Sequence, residues 1–287
     1  MPRHIAYSEN LENLVTGSGN RLNRNTHAVQ NGALAAGVLI AFLGIWYLAV
    51  RWSNVHPIVL PSPARVMQAA WLEREVLSRG FLVTGAAAIS ALLASVIVGS
   101  LLAMLFSQSS RLRIAFQPYV VFLQTVPIVA IAPLLITWFG YRFTTVILVS
   151  TIISLFPIIS NVTAGLTSVD RNLVDLFQLN GATRLQTLVK LRIPNAVSHL
   201  VLGMRISSGM TVIGAIIGEL FVGSGAKYAG LGKLMMGWQN LARTDALIAV
   251  VFTSTLLGLA MLTLVNLFSR LILYRWTAST GFEMNSH

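Results

Sequence analysis

The chain has 287 residues, 55% of them hydrophobic and only 10% charged against about 25% in ordinary soluble domains, and its mean hydropathy is +0.73. So few charges cannot cover a water-soluble particle of this size, which excludes a soluble globule and makes the bilayer the natural solvent. The net charge of +11 comes without a basic stripe interleaved with aromatics, so no nucleic-acid partner is expected, and the absence of cysteine excludes disulfides and thiolate metal sites.

Residues 1–32 are polar and lack the basic and then apolar pattern of a cleaved secretory signal, so a tail followed by a retained first span is expected. Spans are sought as stretches of about 20 uncharged residues, since 1.5 Å per residue must cross roughly 30 Å of hydrocarbon. The first lies in the interval 25–50, with the core ALAAGVLIAFLGIWYLAV. From Ser53 to Gly80, three prolines precede a pattern that reads as an amphipathic helix at the interface. The intervals 80–110, 114–141 and 143–169 supply the second, third and fourth spans. Pro118, Pro127 and Pro133 in the third and Pro157 in the fourth predict kinks or breaks, which are tolerable only where protein or a wet cavity faces them. Pro127 is for that reason a candidate for a translocation path.

Residues 168–198 form the longest hydrophilic break between spans, yet Leu173, Leu176, Phe177, Leu185, Leu188 and Leu191 keep helical spacings, so this loop should fold. A fifth span between Arg192 and Glu219 carries Arg205 near its start and Glu219 near its end, and a sixth occupies 246–269. The runs are continuously apolar rather than alternating, which predicts an all-α polytopic protein: six transmembrane helices over 33–275 and a tail over 276–287. An even number puts both termini on one side. Lys and Arg number 11 there against 8 on the other, which makes that side cytoplasmic.

Enzyme chemistry is missing at membrane depth. The five histidines fall outside the expected spans and Glu219 is the single acidic residue within one, so no nucleophile with its base, no carboxylate pair and no metal cluster is expected, and no cofactor bound by this chain. The nearest approach to a phosphate loop, GSGAKYAGLGKL at 223–234, has Lys227 where the pattern needs Gly and Leu234 where it needs Ser or Thr. Any ATP must therefore be hydrolysed by a separate polypeptide.

Glu219 has two readings, a substrate or gating contact on the path or a hydrogen bond at the helix end. Asn161, in the fourth span, is a candidate for the path or an interhelical hydrogen-bond partner. Gly214 and Gly218 form a GxxxG pair that favours close helix packing. The Gly-rich stretch after the fifth span either returns partly into the pore or receives a binding protein.

The inner loop, VDRNLVDLFQLNGATRLQTLVKLRIPNAVSHLVLGMR from Val169, resembles the EAA loop of type-I permeases of ATP-binding-cassette importers. That pattern runs Glu-Ala-Ala, three residues, Gly, and, after nine more, an apolar stretch ending in Pro. Asp175 takes the Glu position, Leu176 and Phe177 replace the alanines, Gly181 is followed by Ala182 and Thr183, and LRIP closes at Pro194. LPSPARVMQAAW, TVPIVAIAPLLITWFG, FPIISNVTAGLTSVD and GELFVGSGAKYAGLGKLM are similar to the nitrate, sulfonate and taurine branch, and GELF is closer to riboflavin or thiamine-precursor permeases. The resemblance covers about 55–275. It implies a dimer of permease copies in the inner membrane, cytoplasmic ATPase subunits, an external solute-binding protein, and coupling through Asp175, Leu176, Phe177, Gly181, Ala182, Thr183 and Pro194. A secondary transporter or channel without ATP is the alternative, and it predicts mid-membrane charge in more than one span.

Overall fold

The computed structural model describes residues 34, 37–52, 56, 58–222 and 228–280, so the tail expected over 1–32 lies outside it, as does the end of that expected over 276–287. The chain divides into two compact units, up to Val66 and from Met67 onward. The first holds the apolar helix α1 (Gly37–Trp52) and the start of α2 (Pro63–Leu72), where Pro63 occupies the first helical turn, whose N–H groups have no partner within the helix.

In the second unit α3 (Arg74–Ser107) begins almost at once. The sequence pattern suggests one interfacial helix reaching Gly80. Instead Arg74–Arg79 already form the first turns of the long helix, because Leu77 and Gly80 are buried there. Glu73, between α2 and α3, pairs with Arg243 at 2.6 Å. The third span is broken into α4 (Ser110–Thr125) and α5 (Ile128–Phe139). The break falls at Val126 and Pro127, both extended, since proline lacks the N–H for a helix bond and disfavours helical geometry in the residue before it.

Then come α6 (Phe143–Thr167), α7 (Arg171–Leu179), α8 (Arg184–Thr187), a π turn over Leu188–Arg192, α9 (Ile193–Val222), α10 (Leu231–Asn240) and α11 (Thr244–Thr280). Arg74–Ser107, Phe143–Thr167, Arg184–Val222 and Thr244–Leu271 are long and apolar enough to cross a membrane, while Gly37–Trp52 and Ile128–Phe139 are shorter apolar helices. No strand occurs among the described residues. The protein is all-α and polytopic.

Helix α6 packs between α3 and α9, and the seams are made of small residues rather than leucine. A Cβ on Gly214 would sit 2.6 Å from Ser150 Cα, and one on Gly218 would sit 3.1 Å from Val146 Cα, so the GxxxG pair brings α9 onto α6 within this chain. Hydroxyls stitch both seams of α6. Ser150 Oγ donates to Thr211 O at 2.7 Å and Ser207 Oγ to Ser154 O at 2.9 Å, while the hydroxyls of Ser95 and Ser154 lie 2.7 Å apart. Leu82, Ile97 and Leu101 of α3 stay exposed, which suits a helix whose outer solvent is lipid.

Candidate functional site

Two features stand out from the bundle, a helical hairpin between α6 and α9 and a buried carboxylate near the end of α9. The hairpin starts at Asp170, whose Oδ1 accepts the Asn172 N–H at 2.9 Å and caps α7. It turns at Gly181, where φ is +73°, and the Ala182 N–H reaches back to Phe177 O at 2.9 Å. This bond across five residues, with glycine in the left-handed region, is a helix C-cap and the bend between two helices at once. Thr183 then opens α8 with a reciprocal cap: the Gln186 N–H donates to Thr183 Oγ1 and the Thr183 N–H to Gln186 Oε1.

No residue of α7 is buried, although the helix is strongly amphipathic. Leu176 is 52% exposed, Leu179 85% and Leu185 68%. Leu176, Phe177, Gly181 and Ala182, with Asn180, Gln186 and Lys190, line a hollow of about 410 Å³. Asp175 lies on the exposed α7 beside them.

Half of the expected loop is not a loop, because Arg184–Val222 runs as one helix. Pro194 has no N–H to offer, and the helix absorbs it by widening over Leu188–Arg192, where the Ile193 N–H bonds to Leu188 O. Two side chains brace this base against other helices. Arg192 Nη1 donates to Ser107 O of α3 at 2.8 Å, and Asn195 Nδ2 donates to Gly165 O at 2.8 Å and to Ser168 Oγ at 3.0 Å. Neither belongs to the residues singled out from the sequence, and their polarity on either side of Pro194 is the only local sign of the role. His199, expected outside the spans, lies within α9 close to Gly165.

Glu219 is 1% exposed. Thr84 Oγ1 of α3 lies 3.0 and 2.9 Å from its two oxygens, and the Gly232 N–H donates to Oε2 at 2.9 Å. Thr84 Oγ1 in turn accepts the Leu231 N–H at 2.8 Å. The carboxylate thus gathers the first amides of α10 and the hydroxyl of α3, and a Cβ on Gly230 would overlap it. The Gly-rich stretch therefore returns to the bundle as α10. Thr84 carried no sequence signal, since it stands 135 residues from its partner. Tyr228 lies beside this cluster, and burial, followed by the Glu219 carboxylate, pushes its phenol up to about 12.

The remaining candidates sit apart from Glu219. Asn161 Nδ2 donates to Pro157 O of its own helix at 2.8 Å, and its Cβ faces Gly203 across the α6/α9 seam. Pro127 starts α5, and its neighbours Val126 and Ile128, with Gln124, Phe156 and Met210, line a cavity of about 330 Å³ between the broken span, α6 and α9. A second cavity, of about 520 Å³, opens between α4 and α6. No cluster of metal-ligating side chains occurs among the described residues.

Residues 95–276 match the profile of a family described as binding-protein-dependent transport system inner membrane component. The chain is 32% identical to the formylaminopyrimidine transport permease protein of Halalkalibacterium halodurans, over 75% of this chain and 84% of that one. It is 31% identical to the riboflavin transport system permease protein of Chloroflexus aurantiacus, over 84% and 89%. Against the taurine transport system permease protein of Escherichia coli K12 the identity is 27%, over 75% and 80%.

Proposed function

The chain belongs to the family of binding-protein-dependent transport system inner membrane components, as a type-I permease of the ATP-binding-cassette importers rather than an enzyme, and on that premise we propose that it couples solute import to a separate cytoplasmic ATPase through α7 and the turn at Gly181. It is a multi-pass inner-membrane protein. In this reading two copies enclose the path, both termini are cytoplasmic, an external binding protein delivers the solute, and the ATP is hydrolysed by the partner with no cofactor on this chain. The solute is a small organic or anionic nutrient, a class that spans the pyrimidine, flavin and sulfonate named for the relatives.

The observation that carries the proposal is the amphipathic helix α7, which buries none of its residues in the chain that holds it. An exposed apolar face of this kind belongs in the cleft of another protein. The Gly181 turn presents it, and the uninterrupted helix from Arg184 to Val222 carries any push on it straight into the bundle. Arg192 and Asn195 extend the same push to α3 and α6. Movement at the ATPase becomes rigid-body movement of spanning helices. Pro127, Asn161 and Glu219 belong to the moving bundle, with Pro127 at the break whose flanking residues Val126 and Ile128 line the cavity of about 330 Å³.

Affinity purification of the tagged chain from its native membrane, with mass spectrometry of what accompanies it, tests the reading. An ATPase should be recovered, and recovery of a homo-oligomer alone under conditions that preserve other importers would overturn it. Gly181→Asp sharpens the test. A Cβ there meets nothing within 4 Å, but positive φ strains any residue with a side chain, so Gly181→Asn, equally strained and uncharged, is the control that separates the turn from a charge on the rim of the hollow. Association should weaken by about tenfold or more, the equivalent of roughly 1.4 kcal/mol, with insertion unchanged. Asn195→Ala should leave association intact and reduce ATP hydrolysis stimulated by the binding protein in proteoliposomes. Unaltered stimulation would remove Asn195 from the coupling route.

A further inference from the structure

Hydroxyls and amides within the spanning helices are mostly closed on a backbone carbonyl one turn back, as Thr137, Thr151, Asn161 and Ser254 are. Among the described residues the buried hydroxyls of Ser100 and Thr163 depart from that habit, and Thr163 lines, with Arg113, Gln117 and Ser160, the cavity of about 520 Å³ between α4 and α6. Arg113 and Gln117 stand one turn apart on α4, and Ser160 and Thr163 nearly one turn apart on the facing side of α6. Among the described residues none of the four has a side-chain hydrogen-bond or ion-pair partner, and Thr163 Oγ1 is buried without one. Gln117 and Ser160 are exposed, so it is the buried Thr163 hydroxyl, with the half-buried Arg113 on the facing helix, that marks a place where something else supplies the partner.

The charge of that partner follows from the chain around it. No acidic residue stands in α4, α5 or α6, and Arg111 stands two residues from Arg113 on α4. An unpaired guanidinium in such a field attracts anions and repels cations, and its planar fork suits carboxylate, sulfonate or phosphate oxygens. Phe106 and Phe156 form apolar walls beside it, and Phe106 is held by stacking on Phe116 with ring centroids 5.6 Å apart. The cavity combines one cation, three neutral polar groups and two aromatic rings.

We propose that this cavity is a subsite on the translocation path for the anionic group of the solute, with Arg113 pairing the anion, Gln117, Ser160 and Thr163 completing its hydrogen bonds, and Phe106 and Phe156 covering the apolar body. The inference rests on the permease reading for the word solute. It commits the imported class to small organic anions and rejects quaternary ammonium compounds lacking an anionic group. Arg113 could equally meet the phosphate of an anionic lipid headgroup, which offers the same oxyanion chemistry, and the test separates the two sources.

The probe is benzenesulfonate, with neutral benzenesulfonamide as its counterpart, measured by calorimetry on the full chain in phosphatidylcholine nanodiscs. Wild-type protein should bind the sulfonate saturably and the sulfonamide about tenfold more weakly or worse, the loss usual for one charge-assisted bond. Arg113→Gln should show the same loss, Arg113→Lys a smaller one, and Thr163→Val a partial one, all with an unchanged melting temperature in the absence of probe. If Arg113→Gln fails to fold, Arg113→Lys and Thr163→Val carry the test. Absence of saturable binding, or equal binding by every folded variant, would overturn the proposal. So would displacement of the sulfonate by phosphatidylglycerol in the discs, which would make this a headgroup site. The ATPase is absent from the measurement. A failure here with the ATPase still recovered on purification sinks the subsite alone, whereas sulfonate binding without a recovered ATPase sinks the coupling.

Discussion

Glu219→Leu is expected to release α10 from the bundle and abolish transport. The substitution removes the acceptor for Thr84 Oγ1 and for the Gly232 N–H, both buried, and leaving a buried donor unsatisfied costs about 1 to 3 kcal/mol. The orphaned donors have no water to turn to, so α10 moves off rather than tolerate them. Hydrogen exchange of the Leu231–Asn240 amides should accelerate to the rate of an exposed segment. Glu219→Gln keeps one carbonyl acceptor and should fall between, and Thr84→Val should resemble it. In a double-mutant cycle the effects of Thr84→Val and Glu219→Leu should be strongly non-additive, because both remove the same bond. A direct role of Glu219 toward solute gives a different pattern. Glu219→Gln would then cut uptake with the exchange of α10 unchanged, and Thr84→Val would transport normally.

The second large effect is expected at the α6/α9 seam. Gly214→Leu places a branched side chain where even a Cβ would stand 2.6 Å from a backbone atom of Ser150. Backbone cannot rotate aside as a side chain can, so the two helices must part. Parting costs the usual 1 to 3 kcal/mol or so of overpacking, and with it the bonds from Ser150 to Thr211 and from Ser207 to Ser154, at about 1 kcal/mol each. Size-exclusion chromatography in mild detergent should show aggregate in place of a single species. Gly209→Leu is the control on the same helix, since a Cβ there meets nothing within 4 Å, and it should elute as the wild type does. A well-behaved Gly214→Leu protein would mean that the seam is looser than its geometry requires.

Much of this molecule is legible in its amino-acid sequence, and the reason is the bilayer. Uncharged runs of 20 or more residues have few alternatives to helix when every backbone group must be satisfied internally, so the spans announce themselves. The prolines are legible only in part: Pro127 breaks the third span, whereas Pro118, Pro133 and Pro157 lie inside continuous helices. The bend at Gly181 is legible, since positive φ selects glycine. The hydrophilic loop is different. Its apolar spacing announces helices, but nothing local says that the second of them runs unbroken into α9, which depends on a π turn that forms to accommodate Pro194. Likewise the charged residues after Trp71 look interfacial by pattern, and the burial of Leu77 and Gly80 by neighbouring helices draws them into α3 instead.

The order of residues along the chain sets the solvent, the helical class, the break at Pro127 and the turn at Gly181, all within a turn or two of chain. What the isolated polar residues do depends on packing between helices. Glu219 finds Thr84, and Arg113 and Gln117 come to face Ser160 and Thr163, across distances in the chain at which no local pattern operates. A hydrogen-bonding group in a low-dielectric interior takes its meaning from the group opposite it, and which group that is depends on how the helices pack.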